Sequence, residues 1–142
     1  MLLWVQLVAA VSLIVLVTLI HGTGVVITTK LFKHESRHLQ GRKLAFREFR
    51  LMVPMALCLF GLHFAEISVF AAFYFAFGAP GGFADALFAS AAAYTTMGIE
   101  EGALGGWKLV GALEGLAGFL LIGWSAAVFV TDMEKILRNW KP

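Results

Sequence analysis

Three long apolar runs set the plan of the chain. Leu2 to Thr29 contains no Asp, Glu, Lys or Arg. Leu51 to Gly78 is broken by His63 and Glu66, and Trp107 to Thr131 carries Lys108 at its start and Glu114 inside. A bilayer core is about 30 Å thick and takes roughly 20 apolar residues of helix to cross, so each run predicts a transmembrane helix. The first is too long for the apolar region of a signal peptide, and no basic residue precedes it. Between the second and third runs lies Phe83 to Thr95, FADALFASAAAYT. It reads as a helix of about 20 Å, too short to span, entered through a turn at Pro80, Gly81 and Gly82. A short apolar helix between two spanning helices predicts a re-entrant segment, which is tolerated at membrane depth where protein or a water-filled cavity surrounds it. The expected fold class is an all-α membrane protein with three transmembrane helices and one re-entrant helix.

Composition narrows the classes of function. The 142 residues are 60% hydrophobic and 14% charged, against about a quarter charged in a soluble domain. This excludes an ordinary soluble fold and intrinsic disorder. The single cysteine, Cys58, excludes a disulfide scaffold and a cysteine-based zinc site. A net charge of +2 does not suggest a nucleic-acid partner. No Ser-His-Asp arrangement, HExxH motif or phosphate loop is present, so the chain does not read as an enzyme, and no cofactor is expected.

Lys and Arg in short loops set orientation. Lys30 to Arg50 holds seven, and the tail holds Lys135, Arg138 and Lys141, whereas Ala79 to Gly106 holds none but carries Asp85, Glu100 and Glu101. The basic segment 30–50 and the C-terminus are therefore expected in the cytoplasm and the N-terminus outside, in the cell (inner) membrane. The re-entrant segment then enters from the outer face. The basic segment reads either as a solvated topology signal or as a partly helical stretch on the inner leaflet. In the second case Leu44, Phe46 and Phe49 face lipid while the cations meet anionic headgroups. Trp4, Trp107 and Trp140 fall where indole rings anchor helices at interfaces.

After the short helix comes Thr95-Thr96-Met97-Gly98-Ile99-Glu100-Glu101. A helix, a short re-entrant helix, a T-T-x-G segment and a further helix resemble the pore domain of tetrameric potassium channels, the small bacterial two-transmembrane class in particular. In that family the segment reads T-T-V-G-Y-G-D or a close variant. Thr95, Thr96 and Gly98 match it, Met97 stands at an aliphatic position, Ile99 at an aromatic one, and Glu101 keeps the following acid. Glu100 replaces the second filter glycine. The resemblance runs from about Arg50 to the C-terminus and implies a pore domain at 51–142. Within it lie an outer helix at 51–78, a pore helix at 83–95, a filter at 96–101 and an inner helix at 107–133. Helix 1–29 is an addition to the two-helix pore.

The resemblance implies a homotetramer that conducts a monovalent cation, K+ alone or K+ together with Na+, coordinated at Thr96, Met97 and Gly98. Carbonyl oxygens replace the water of such an ion, and cyclic symmetry closes the ring. Glycine takes the left-handed backbone of a filter freely, whereas Glu100 does not. The outer half of the filter is thus expected to be rearranged, with altered selectivity, although a strictly potassium-selective pore is an equal reading. Four copies of Glu100 and Glu101 would concentrate cations at the mouth and could hold a divalent ion. Tyr94, Glu114 and Trp107 are expected to support the filter, with Tyr94 or a Thr hydroxyl as the donor to Glu114. Gly115, Gly118 and Gly123 are gating-hinge candidates, Gly123 foremost, with close helix packing as the alternative role. Ser125, Val128 and Asp132 are candidates to line the inner pore. His63, Glu66 and Glu114 lie within membrane runs, where an ionisable group is expensive, so each is expected to have a partner or face water. His63 and Glu66 share a helix face, and His21 reads as a polar residue facing the bundle. Two other functions compete: a non-conducting membrane adaptor or channel subunit, and a haem protein with His21 and His63 as axial ligands.

Overall fold

The computed structural model describes residues 2–39 and 44–138, with the backbone alone at 44, 45, 47, 136 and 137. Arg42, Lys43, Trp140 and Lys141 lie outside the described residues, as do the side chains of Leu44 and Arg47. Four helices account for most of the chain: α1 (Leu3–His38), α2 (Leu44–Ala76), α3 (Phe83–Tyr94) and α4 (Lys108–Arg138). No strand occurs among the described residues. Three of these helices are long and apolar enough to cross a membrane.

The helices run past the apolar stretches that predict them. The segment from Lys30 to His38 continues α1, and α2 begins at Leu44 rather than Leu51. Lys, Arg, Glu and Gln are good helix formers, so the loss of apolar character marks the end of a membrane span without ending the helix. Arg50 and Glu35 approach to 3.6 Å across this hairpin. Pro54 sits inside α2 and removes one backbone donor from it.

End-to-end contacts fix the directions of the helices. The Leu109 N–H donates to Gln6 Oε1 at 3.0 Å, so α1 and α4 start at the same end. At the opposite end Phe32, Leu39, Leu51, Met55 and Met133 form one buried cluster. Helices α1 and α4 are therefore parallel, and α2 runs against both. Helix α3 starts beside the end of α2. Its first turn is closed by Asp85, which accepts the Gly82 N–H at 2.8 Å, a carboxylate at a helix N-terminus.

Small residues let α3 enter the bundle. Ala86, Ala89, Ser90 and Ala93 recur at helical spacing and are buried. They face a glycine-bearing side of α4, where a methyl added at Gly115 would lie 3.0 Å from the Ala93 carbonyl oxygen. Backbones approach this closely only where side chains are absent. By Tyr94 the helix has reached Glu66, ten residues before the end of α2 and so about 15 Å below it. The chain then returns to the end from which it came, where the Trp107 indole N–H donates to the Phe77 carbonyl at 3.1 Å. Large apolar side chains such as Leu57, Phe60, Phe64, Phe88 and Phe119 remain on the outside, which suits lipid or protein neighbours rather than water.

Candidate functional site

Two buried polar clusters grip α3. In the first, the Tyr74 hydroxyl of α2 donates to Glu114 Oε2 at 2.7 Å. The Ser90 hydroxyl of α3 lies 2.6 Å from Glu114 Oε1. Glu114, on α4, is fully buried, and a carboxyl group in such a place needs hydrogen-bond partners for both its oxygens. Glu114 thus links α2, α3 and α4, and its partners are Tyr74 and Ser90 rather than Tyr94 or a Thr hydroxyl. Tyr94 turns instead to Glu66, and the Thr95 hydroxyl returns to its own helix, 2.7 Å from the Ala91 carbonyl.

The second cluster lies deeper and joins α1, α2 and α3. His21 Nδ1 is 2.8 Å from Glu66 Oε1. His63 Nδ1 is 3.2 Å from Glu66 Oε2 and 2.9 Å from the Tyr94 hydroxyl, which itself donates to Glu66 Oε2. Ser125 Oγ sits 3.5 Å from His21 Nε2, and the Trp124 ring covers His21 with centroids 5.1 Å apart. The two imidazole rings are 5.4 Å apart and are bridged by one carboxylate, an arrangement with no slot for a porphyrin plane between them.

The segment after Tyr94 has unusual backbone geometry. The Thr96 N–H donates to the Ala93 carbonyl and the Met97 N–H to the Ala92 carbonyl, both at 2.9 Å. This pair of bonds is the Schellman closure of a helix, in which the left-handed position is usually glycine. Here it is Thr96, with φ of 59°, a genuine outlier for a β-branched residue that costs on the order of 1–2 kcal/mol. Gly98 follows at φ 98°. Among the described residues no donor reaches the carbonyl oxygens of Thr95 to Ile99. Thr95 to Gly98 are exposed, Met97 at 80%, so the segment forms an open face of the chain.

Beyond it the loop turns back into the fold. Ile99 and Leu104 approach Gly111 on α4. The Glu100 carbonyl accepts the Ala103 N–H at 3.1 Å while its side chain is exposed. Glu101 pairs with Lys108 of the same chain at 3.1 Å, both exposed, so one of the two acids has a partner that the sequence reading did not assign. Trp107 holds this loop to the end of α2, which gives it a supporting role of its own.

The residues of α4 sort by face. Gly115 and Gly118 pack against the last turn of α3, where a methyl would meet backbone atoms of Ala93 and Tyr94, whereas Gly123 has open space around it. The inner-lining candidates are placed differently from the expectation. Ser125 is buried toward His21, and Val128 packs on the buried cluster at the far end. Asp132 is 7% exposed, beside Lys135 at 3.8 Å. It lines a cavity of about 540 Å³ between α1 and α4 together with Lys30 and Lys33. The face of α4 that stays open runs instead through Ala112, Leu116, Phe119, Gly123, Ala126 and Val130. These follow one another at alternating steps of four and three, the spacing of a helix seam. The missed partners, Tyr74 and Ser90, carried a weak signal: each is a polar group within an otherwise apolar helix. Comparison with protein-family models, curated proteins and solved structures gives no match.

Proposed function

We propose that the chain is one wall of a homotetrameric channel that passes monovalent cations, K+ alone or K+ together with Na+, across the cell membrane. The observation that supports this best is the run of unpaired carbonyls from Thr95 to Ile99. Carbonyls at membrane depth without partners cost several kcal/mol each. A cation shared by four chains supplies that partner and loses its own water in exchange. The left-handed backbone at Thr96 and Gly98 turns successive carbonyls within this short stretch, and the two buried carboxylate clusters hold α3 in position behind it.

In this reading α3 is the re-entrant pore helix and aims the partial negative charge of its C-terminus at the ion path. The open seam of α4, rather than Ser125, Val128 and Asp132, faces the axis or the neighbouring subunit. Glu100 forms the outer ring of acids, where divalent cations gather, and Glu101 is partly neutralised by Lys108. The basic ends of α1 and α2 and the tail lie at the cytoplasmic side against anionic lipid, with the N-terminus outside.

The test is reconstitution in liposomes with K+ on one side and Na+ on the other, with the oligomeric mass measured on the same sample. Flux of K+ alone means that Glu100 is accommodated in a strict filter. Flux of both ions means that the outer filter is opened, and Glu100→Gly should then sharpen the preference for K+. A tetramer that passes neither ion refutes conduction and favours the adaptor reading.

A further inference from the structure

The second polar cluster has the make-up of a metal centre. We propose that His21, His63 and Glu66 bind a divalent transition-metal ion of the zinc type, with Tyr94 as the fourth ligand. One donor atom from each of the first three residues falls within a sphere where all lie within 4.8 Å of one another. Four-coordinate zinc holds imidazole nitrogen and carboxylate oxygen at about 2.0–2.2 Å, which sets tetrahedral donor atoms roughly 3.4 Å apart. The hydrogen-bonded His21–Glu66 pair at 2.8 Å must therefore open, and the widest pair must close, to seat the ion. Two imidazoles and a carboxylate suit borderline metals and do not suit Mg2+ or Ca2+, which take oxygen donors.

The surroundings match what such a site requires. His21 and Glu66 are fully buried and His63 is partly buried, its side chain 16% exposed, and their mutual hydrogen bonds hold the ligands in place before the ion arrives. His21 Nδ1 faces the site while its Nε2 faces Ser125 Oγ, so a hydroxyl on the outer nitrogen orients the ring as outer-shell partners do. His63, Tyr94 and Thr95 line an open apolar cavity of about 370 Å³ between α2, α3 and α4, so one side of the cluster is not sealed by protein. The ion takes the Nδ1 lone pairs of neutral imidazoles whose single N–H sits on Nε2, and Tyr94 coordinates as phenolate, releasing to solvent the proton it now donates to Glu66. Since the ligands come from α1, α2 and α3, the bound ion ties together three helices, one residue before Thr95.

This inference does not depend on conduction, and its test measures binding alone. The protein is purified without a histidine tag, stripped with a chelator and titrated with Co2+. The expected result is one Co2+ per chain with the intense visible bands of a four-coordinate ion, bleached by one equivalent of Zn2+. His63→Ala should weaken binding by more than about 100-fold, and Ser125→Ala by about 10-fold, with helicity and oligomeric mass unchanged. The exposed pair His34 and His38, whose rings are 4.7 Å apart, is the control. The proposal is overturned if wild-type protein takes up no stoichiometric Co2+. It is equally overturned if the spectrum survives in His63→Ala and His21→Ala and disappears in His34→Ala/His38→Ala.

Discussion

Gly118→Ala probes how tightly α4 is pressed against the end of α3. The added methyl would lie 2.8 Å from Tyr94 Cγ and 2.9 Å from its carbonyl carbon, and nearer still to the carbonyl oxygen. Two of these three atoms are backbone, so relief requires a helix to move and not merely a side chain to rotate. Overpacking of a close-packed interior costs about 1–3 kcal/mol, and the upper end applies where backbone is hit. Against this, Ala favours a helix by about 1 kcal/mol over Gly. The net expectation is a loss of about 2 kcal/mol, or roughly 8 °C in melting temperature for a chain of this size. Gly61→Ala is the matched control, because nothing lies within 4 Å of the methyl it adds, and the same propensity term should raise the melting point by a few degrees. Both are read by far-UV circular dichroism of detergent-solubilised protein during heating. A Gly118→Ala protein that melts at or above wild type would refute the close approach of α3 and α4.

Tyr74→Phe removes one of the two donors to the buried Glu114 and should cost about 1–3 kcal/mol, seen as a lower melting temperature in the same assay. Trp107→Phe loses the bond to the Phe77 carbonyl and part of the ring's packing on Phe73 and Phe77 and should cost about 2 kcal/mol, with faster amide hydrogen exchange in residues 99–107 and little change in α1. Thr96→Gly relieves the left-handed strain and should stabilise the end of α3 by about 1 kcal/mol. The same substitution removes a hydroxyl from the proposed ion path, so cation flux should fall while the melting temperature rises.

The spans were legible because bilayer thickness imposes a long apolar signature that survives any detail of packing. The ends of α1 and α2 were not, because Lys30 to His38 loses hydrophobicity without losing helix propensity. The short helix at Phe83 stood out by its length and its Pro-Gly-Gly entry. That His63, Glu66 and Glu114 needed partners followed from the cost of an ionisable group in an apolar helix. The identity of those partners did not follow. Tyr74 and Glu114 are 40 residues apart, His21 and Glu66 are 45 apart, and no local spacing encodes such pairs. The same limit hid the neighbours of Ser125, Val128 and Asp132. Helical spacing groups residues on one face but does not say whether that face meets α1 or the open side. The left-handed Thr96 was invisible for a different reason: a Schellman closure ordinarily announces itself by glycine, and here the glycine stands two positions later.

The central claim is that ions cross the membrane along the carbonyls of Thr95 to Ile99. Passive K+ efflux from liposomes holding wild-type protein, compared with Gly98→Ala, tests it most directly. Ala at Gly98 must adopt φ near 98°, which L-residues rarely do, and nothing crowds the added methyl, so the substitution acts on the backbone of the segment and not on packing elsewhere. The account predicts K+ efflux from wild type and its loss in Gly98→Ala, with the oligomer intact. Equal efflux from both proteins would contradict it.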